Sequence, residues 1–284
     1  LIKYGRLLGK VRIHPLFWVV AGIAILTGYF WELSILFLIV FIHELGHAAA
    51  ARFFSWKIKR ILILPFGGTC EVDEHGNRPI IEELIIVAAG PLQHIWLAGG
   101  AFLLETAGLI TMESALLFHK FNLMIFLFNL LPVWPLDGGK FLYLLLSART
   151  PFLHAMKKTL ISSVIMLTAI HLIMIIIAPF NLHLWIVVLF LYLSLWLEWK
   201  QVRYAFMRFL LERYYGKQSG IKRLEVIEAR GTDFIYQAME KFQRDCKHLI
   251  HVDSIRSMDE NEMLHVYFAK KQVNARLKEI VSND

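Results

Sequence analysis

The stretch Phe41 to Phe54, FIHELGHAAAARFF, carries two histidines and a glutamate whose types and spacing suit a metal site. On a helix, positions i and i+4 lie on one face, so His43 and His47 can reach a single ion, and Glu44, one residue along, can approach the water bound to it. Zinc at a catalytic site takes three protein ligands and keeps the fourth position for water, whose pKa it lowers toward neutrality. Glu44 then has the role of catalytic base, taking the proton from that water and handing it to the leaving amine. The plainer reading, two core histidines satisfied by packing, must also account for a glutamate, and LSILFLIV runs into the motif without a break. Each ionisable group at such a depth costs several kcal/mol, about 3 on insertion scales.

Two ligands are too few for catalytic zinc. A second cluster, NLLPVWPLDGGKF, places Asp137 just after Pro132 and Pro135, at the depth of His43 and His47. The prolines remove backbone donors and open the helix, while Gly138 and Gly139 permit close approach of backbones. Asp137 is therefore a candidate third ligand, with the N-cap of the following GGKFLYLLLS helix as the alternative.

Such residues need a scaffold that keeps them in lipid. The chain of 284 residues is 57% hydrophobic and 13% aromatic, with a mean hydropathy of +0.54. Its apolar residues fall in long runs, which excludes an ordinary soluble domain and marks a polytopic α-helical membrane protein. Runs of roughly 17 to 25 apolar residues predict six transmembrane helices. They lie at about 15–31, 33–54, 80–104, 116–133, 160–177 and 182–199. The first is read as a retained helix, because a second span follows at once and no small-residue cleavage pattern is present. Lys3, Arg6, Lys10 and Arg12, then Arg52, Lys57, Lys59 and Arg60, then Lys140, Arg149, Lys157 and Lys158, then Lys200, Arg203 and Arg208 all fall on one side. The opposite loops hold Glu32, Glu105 and Glu113, and Lys120 can snorkel outward from the far end of the fourth span. Both termini are thus expected in the cytoplasm. The same asymmetry explains the net charge of +7 without a nucleic-acid partner. Cys70 and Cys246 are too far apart for a CxxC motif, and no disulfide framework is indicated.

Between the second and third spans, ILILPFGGTCEVDEHG is apolar but too short to cross, and Pro65, Gly67 and Gly68 break it. A re-entrant loop or an edge hairpin dipping into the interface is expected, with Pro65, Phe66, Gly67 and Gly68 offering a substrate strand by β-addition, and an ordinary cytoplasmic loop with a hydrophobic patch is the alternative. Residues 200–222, rich in Arg and Tyr, read as an amphipathic interfacial linker in contact with membrane lipid. Residues 223–284 have the composition of a small soluble α+β domain, which leaves residues 1–199 as the membrane domain.

Taken together, HExxH in one span and Asn129, Pro132, Asp137 and Gly138, in an Asn-x-x-Pro-x-x-x-x-Asp-Gly pattern, in a later one resemble the site-2 protease family of intramembrane zinc metalloproteases. FIHELGHAA, LPFGGT, EHGNRP, AGPLQHIWL, NLLPVWPLDGGK and RFLLERYYGK carry the similarity across nearly the whole membrane part, closest to a sporulation branch of the family. The resemblance implies one zinc per chain with Asp137 as third ligand, and a cut near the cytoplasmic face. It also implies a sporulation sigma-factor precursor as substrate, losing its N-terminal prosegment, and small inhibitory membrane-protein partners. The implied location is the membrane surrounding the forespore, facing the mother-cell cytoplasm. The C-terminal segment resembles a single cystathionine-β-synthase-type (CBS) domain, which implies ATP binding, with a plain docking surface as the alternative. A homo-oligomer stays open.

One motif departs from the family. Many members have Gly-Pro-x-x-Asn in the third span, where this chain has Gly90-Pro91-Leu92-Gln93-His94. An oxyanion donor or substrate-positioning group is then expected from Gln93, His94 or Asn129. Helix packing and direct metal ligation stay open for His94. Of the other function classes, a metal or proton transporter would use His94, His119 and His171 as a relay. The hydrolase-like placement of Glu44 and the absence of an inverted repeat argue against it.

Overall fold

The computed structural model describes residues 9–64, 67–72, 78–216, 223–253 and 256–282. The chain divides into two compact units, one of Leu1–Glu74, Ile81–Phe141 and Met166–Leu191, the other of His75–Ile80, Leu142–Ile165 and Tyr192–Asp284. In chain order the elements are β1 (Val11–Ile13), α1 (Pro15–Thr27), α2 (Phe30–Phe53), β2 (Ile58–Leu64), β3 (Gly67–Val72), α3 (Ile80–Thr106), α4 (Met112–Leu130), α5 (Asp137–Ser147), α6 (Phe152–Ile177), α7 (Leu182–Tyr215), β4 (Arg223–Ala229), α8 (Ile235–Met239), β5 (Cys246–Val252), β6 (Arg256–Asp259), α9 (Glu260–Phe268) and α10 (Leu277–Ser282).

In the first unit α2 buries Ile35, Ile39, Val40, His43, Gly46, His47 and Ala51, the three-to-four spacing of a single helix face. Among the described residues, four helices are long and apolar enough to cross a membrane: α2, α3, α6 and the stretch Leu184–Tyr215 of α7. Of the six expected spans, the first corresponds to α1, whose 13 residues rise only about 20 Å. The fourth corresponds to α4, which has 19 residues.

The short apolar segment after α2 forms a β-hairpin. β2 pairs antiparallel with β3, from Ile58 opposite Val72 to Leu64 opposite Gly67, and β1 adds in parallel on the other side of β2. Alternate residues Ile61 and Ile63 are fully buried, as expected of a sheet with one covered face. β3 is an edge strand of this sheet. Trp56 Nε1 donates to Glu82 at 2.8 Å and so ties the end of α2 to the first turn of α3, where Glu82 and Glu83 complement the helix dipole.

In the second unit, β4 and β5 pair in parallel along seven residues and β6 returns antiparallel to β5, giving the order β4-β5-β6 with α8 as the crossover. The segment expected as a separate interfacial linker is instead an unbroken continuation of α7 through Tyr215. No proline or glycine interrupts it before Gly216, and residues 217–222 lie outside the described ones. Its apolar face is covered by protein: Phe206, Phe209 and Leu210 are fully buried, and Phe152 stacks on Phe209 at 4.3 Å.

One buried ion pair fastens this helix to the small domain. The Arg213 guanidinium donates through Nε and Nη2 to both Glu260 oxygens, through Nη1 to the Gln243 carbonyl and through Nη2 to the Cys246 carbonyl, and His248 lies 2.8 Å from Glu260 Oε2. Burial alone would push the Glu260 carboxyl up, but hydrogen bonds from His248 and Arg213 hold it below its ordinary value. Burial likewise pushes the Cys246 thiol up to about 11, so it stays protonated and inert. Because the folded-state pKa of Glu260 is lowered, its contribution to stability is complete above the ordinary value of 4.5 and is lost as pH falls through the lowered one. Glu260→Gln strands a buried guanidinium and should cost about 3 to 5 kcal/mol. Thermal unfolding in detergent at pH 7 and pH 4 checks both points, since wild type should lose more stability on acidification than the variant.

Candidate active site

The site grows from one turn of α2. His43 and His47, four residues apart, bring their Nε2 atoms to 3.1 Å from each other. Asp137, the first residue of α5, completes the group, because the turn built on Pro132 and Pro135 ends α4 and sends the chain back toward α2. Its Oδ2 lies 3.0 Å from both imidazole Nε2 atoms. Three donor atoms thus form a nearly equilateral triangle, and all three residues are buried.

Each member is held from behind. His47 Nδ1 donates to the Ile86 carbonyl of α3 at 2.8 Å. Asp137 Oδ1 accepts from Lys140 Nζ at 3.1 Å, one helical turn on, which leaves Oδ2 for the triangle. His43 Nδ1 lies 3.0 Å from His94 Nε2.

Glu44 stands beside this triangle, and its carboxylate accepts from the backbone N–H of Cys70 on β3. Among the described residues, Glu44 Oε2 is a buried oxygen with no hydrogen-bond partner. Atoms of His43, Glu44 and His47 all lie within 4.8 Å of one another. Two glycines make this crowding possible. A Cβ at Gly68 would overlap the Glu44 side chain, and one at Gly90 would overlap His47 Nε2, so β3 and α3 can approach the site only without side chains there.

The donor set fits zinc. Bonds of 2.0 to 2.1 Å in a tetrahedron hold their donors about 3.3 Å apart, close to the spacings observed, and two imidazoles with one carboxylate is a common catalytic set. Among the described residues, the carboxylates of Glu44 and Asp137 outnumber the ammonium of Lys140 there, which favours a bound cation.

The remaining expected residues are placed differently. The His94 ring has both nitrogens engaged, with Nδ1 2.7 Å from Asn122 Oδ1, so it has none left for an oxyanion, and it lies behind His43 instead of in the triangle. Gln93 and Asn129 each turn a side-chain N–H onto their own helix, to the carbonyls of Ala89 and Ile125. Gly67 and Gly68 begin β3, whereas Pro65 and Phe66 lie outside the described residues. Of the three relay histidines, His94 and His119 line one cavity, while His171 packs edge-on against Trp185. Sequence reasoning passed over Lys140, Asn122 and the Ile86 carbonyl. An asparagine within an apolar helix is costly enough to have been a signal for Asn122.

An HExxH helix closed by a carboxylate from a later helix, on a membrane-helix fold, is the site of a zinc metalloprotease. The chain belongs to peptidase family M50, whose sequence profile matches residues 31–109 and 104–173. It is 44% identical to the stage IV sporulation protein FB of Bacillus subtilis (strain 168) over 283 residues, 98% of each chain. It is 34% identical over 145 residues to a zinc metalloprotease of Methanocaldococcus jannaschii, covering 49% of this chain and 42% of that one. A site-2 protease from the same archaeon has a similar structure, with a TM-score of 0.53 at 29% identity, covering 66% of this chain and 89% of that one.

Gly90→Ala would drive a methyl group against His47 Nε2. Zinc content of the purified variant should fall at least about tenfold while its helix content stays that of wild type, a loss of ligand geometry without unfolding.

Proposed function

We propose that the chain is an intramembrane endopeptidase that uses zinc held by His43 Nε2, His47 Nε2 and Asp137 Oδ2, with Glu44 as its base. The observation that carries this reading is the triangle of 3.0 to 3.1 Å spacings with the unpartnered Glu44 Oε2 beside it. Zinc in that position supplies the Lewis acidity that makes water a nucleophile near neutral pH. Glu44 takes a proton from the water as its oxygen attacks the scissile carbonyl carbon, then delivers it to the amide nitrogen as the C–N bond breaks. Lys140 keeps Asp137 in place throughout.

The substrate must reach this site extended, because a helix hides its carbonyls. The outer edge of β3, whose Gly68 touches Glu44, offers backbone pairing to such a strand. Gly67 sits at φ +155°, which proline cannot adopt. Gly67→Pro should therefore lower cleavage at least about tenfold with zinc retained, and unchanged cleavage would remove the edge from the mechanism.

By family resemblance the substrate is a sporulation sigma-factor precursor cut near the cytoplasmic face, with small membrane proteins as inhibitors. The name of the Bacillus relative also ties that protein to sporulation. The proposed arrangement has six spans with both termini cytoplasmic, a membrane domain of residues 1–199 that α7 continues through Tyr215, and a CBS-like domain of residues 223–284. The β4-α8-β5-β6-α9 order suits that last assignment. ATP is left out of the proposal. The polar cavity of about 310 Å³ in this domain offers Glu228, Asp233 and Asp253 against Arg230 and Lys241, a poor lining for a polyphosphate.

The test is co-production with a candidate sigma-factor precursor, wild type beside Glu44→Gln, with zinc assayed in both. Cleavage by wild type alone, with about one zinc per chain in each, is the expected result. Cleavage by Glu44→Gln at the wild-type rate would overturn the role of Glu44.

A further inference from the structure

The proposed chemistry leaves unexplained why a histidine and an asparagine are buried behind His43. His94 and Asn122 are 3% and 5% exposed. The contacts run in one line: His43 Nδ1 to His94 Nε2 at 3.0 Å, then His94 Nδ1 to Asn122 Oδ1 at 2.7 Å. Asn122 is itself fixed, since its Nδ2 donates to the His94 carbonyl at 2.9 Å.

That last bond sets the direction of the whole line. An amide whose nitrogen faces a carbonyl must present its oxygen to the ring, and an oxygen there only accepts, so His94 carries its proton on Nδ1. A neutral imidazole protonated on Nδ1 has a bare Nε2, which accepts from His43 Nδ1–H. With its proton held on Nδ1, His43 keeps a lone pair on Nε2, the atom that points at His47 and Asp137.

We propose that His94 and Asn122 are positioning residues that lock His43 in its metal-binding tautomer and ring orientation. The inference rests on the metal-site reading above and assigns these two side chains to it. The other histidine obtains the same service from a main-chain carbonyl, that of Ile86. For His43 a side chain of α3, anchored by one of α4, performs it, and partners of this kind govern metal affinity without touching the ion.

The test is zinc affinity of the full-length protein in detergent, by competition with a chromophoric chelator, together with the absorption spectrum of the cobalt-loaded protein. His94→Leu and Asn122→Leu should weaken zinc about 10- to 100-fold and shift the cobalt bands. His94→Gln, whose side-chain oxygen can accept from His43 Nδ1–H, should stay within about fivefold of wild type. Wild-type affinity in both leucine variants overturns the proposal. So does a loss in His94→Gln as large as in His94→Leu, which would mark a packing role. Should the leucine variants fail to fold, Asn122→Asp, which keeps the acceptor, is compared with Asn122→Ser, which is too short to reach the ring. The first should bind as wild type and the second more weakly, and equal affinities overturn the proposal. A wild type that holds no zinc would instead sink the metal site itself, a separate outcome, since each variant is read only against a loaded wild type.

Discussion

The structure depends on bringing a carboxylate and two imidazoles within about 3 Å of one another inside an apolar helical unit. Burial of these groups is unfavourable unless each lone pair and each N–H has a defined use, so every nearby feature serves that end. Gly90 lets α3 close on His47, and the broken end of α4 turns Asp137 back toward α2. Lys140 occupies the carboxylate oxygen that the triangle does not use. Loss of either Gly90 or Lys140 would disturb the spacing or the charge of the triangle, so the arrangement tolerates little drift.

How far the sequence spoke for this arrangement depended on chain separation. His43, Glu44 and His47 were legible because helical periodicity brings near neighbours together, and Asp137 because its prolines and glycines announce a break in a span. The β-hairpin was half legible: the break at Pro65 to Gly68 left a re-entrant loop, a hairpin and a plain loop open, and the pairing of Leu64 with Gly67 is a tertiary outcome. Asn122 was missed because its meaning lies in His94, 28 positions away, and no periodicity links two helices. The extension of α7 was misjudged for a related reason. Aromatic and basic residues between Tyr204 and Tyr215 mark a two-faced helix, but they do not say whether lipid or protein covers the apolar face. Here Phe152 supplies the cover for Phe206 and Phe209.

Two buried polar networks, one in each compact unit, follow the same rule and end differently. Around Glu260 the rule is obeyed in full: Arg213 and His248 reach both carboxylate oxygens, and the carbonyls of Gln243 and Cys246 take further guanidinium protons. A closed network of this kind holds a helix and a domain together and has nothing left to react. Around His43 the bonds are just as specific, from the Ile86 carbonyl to Asn122, yet one buried oxygen, Glu44 Oε2, is left over. Folding alone would not select that residue. A leucine in its place would pack without the desolvation penalty of a carboxylate, and the proposed role of Glu44 as base gives that buried oxygen a use that folding does not.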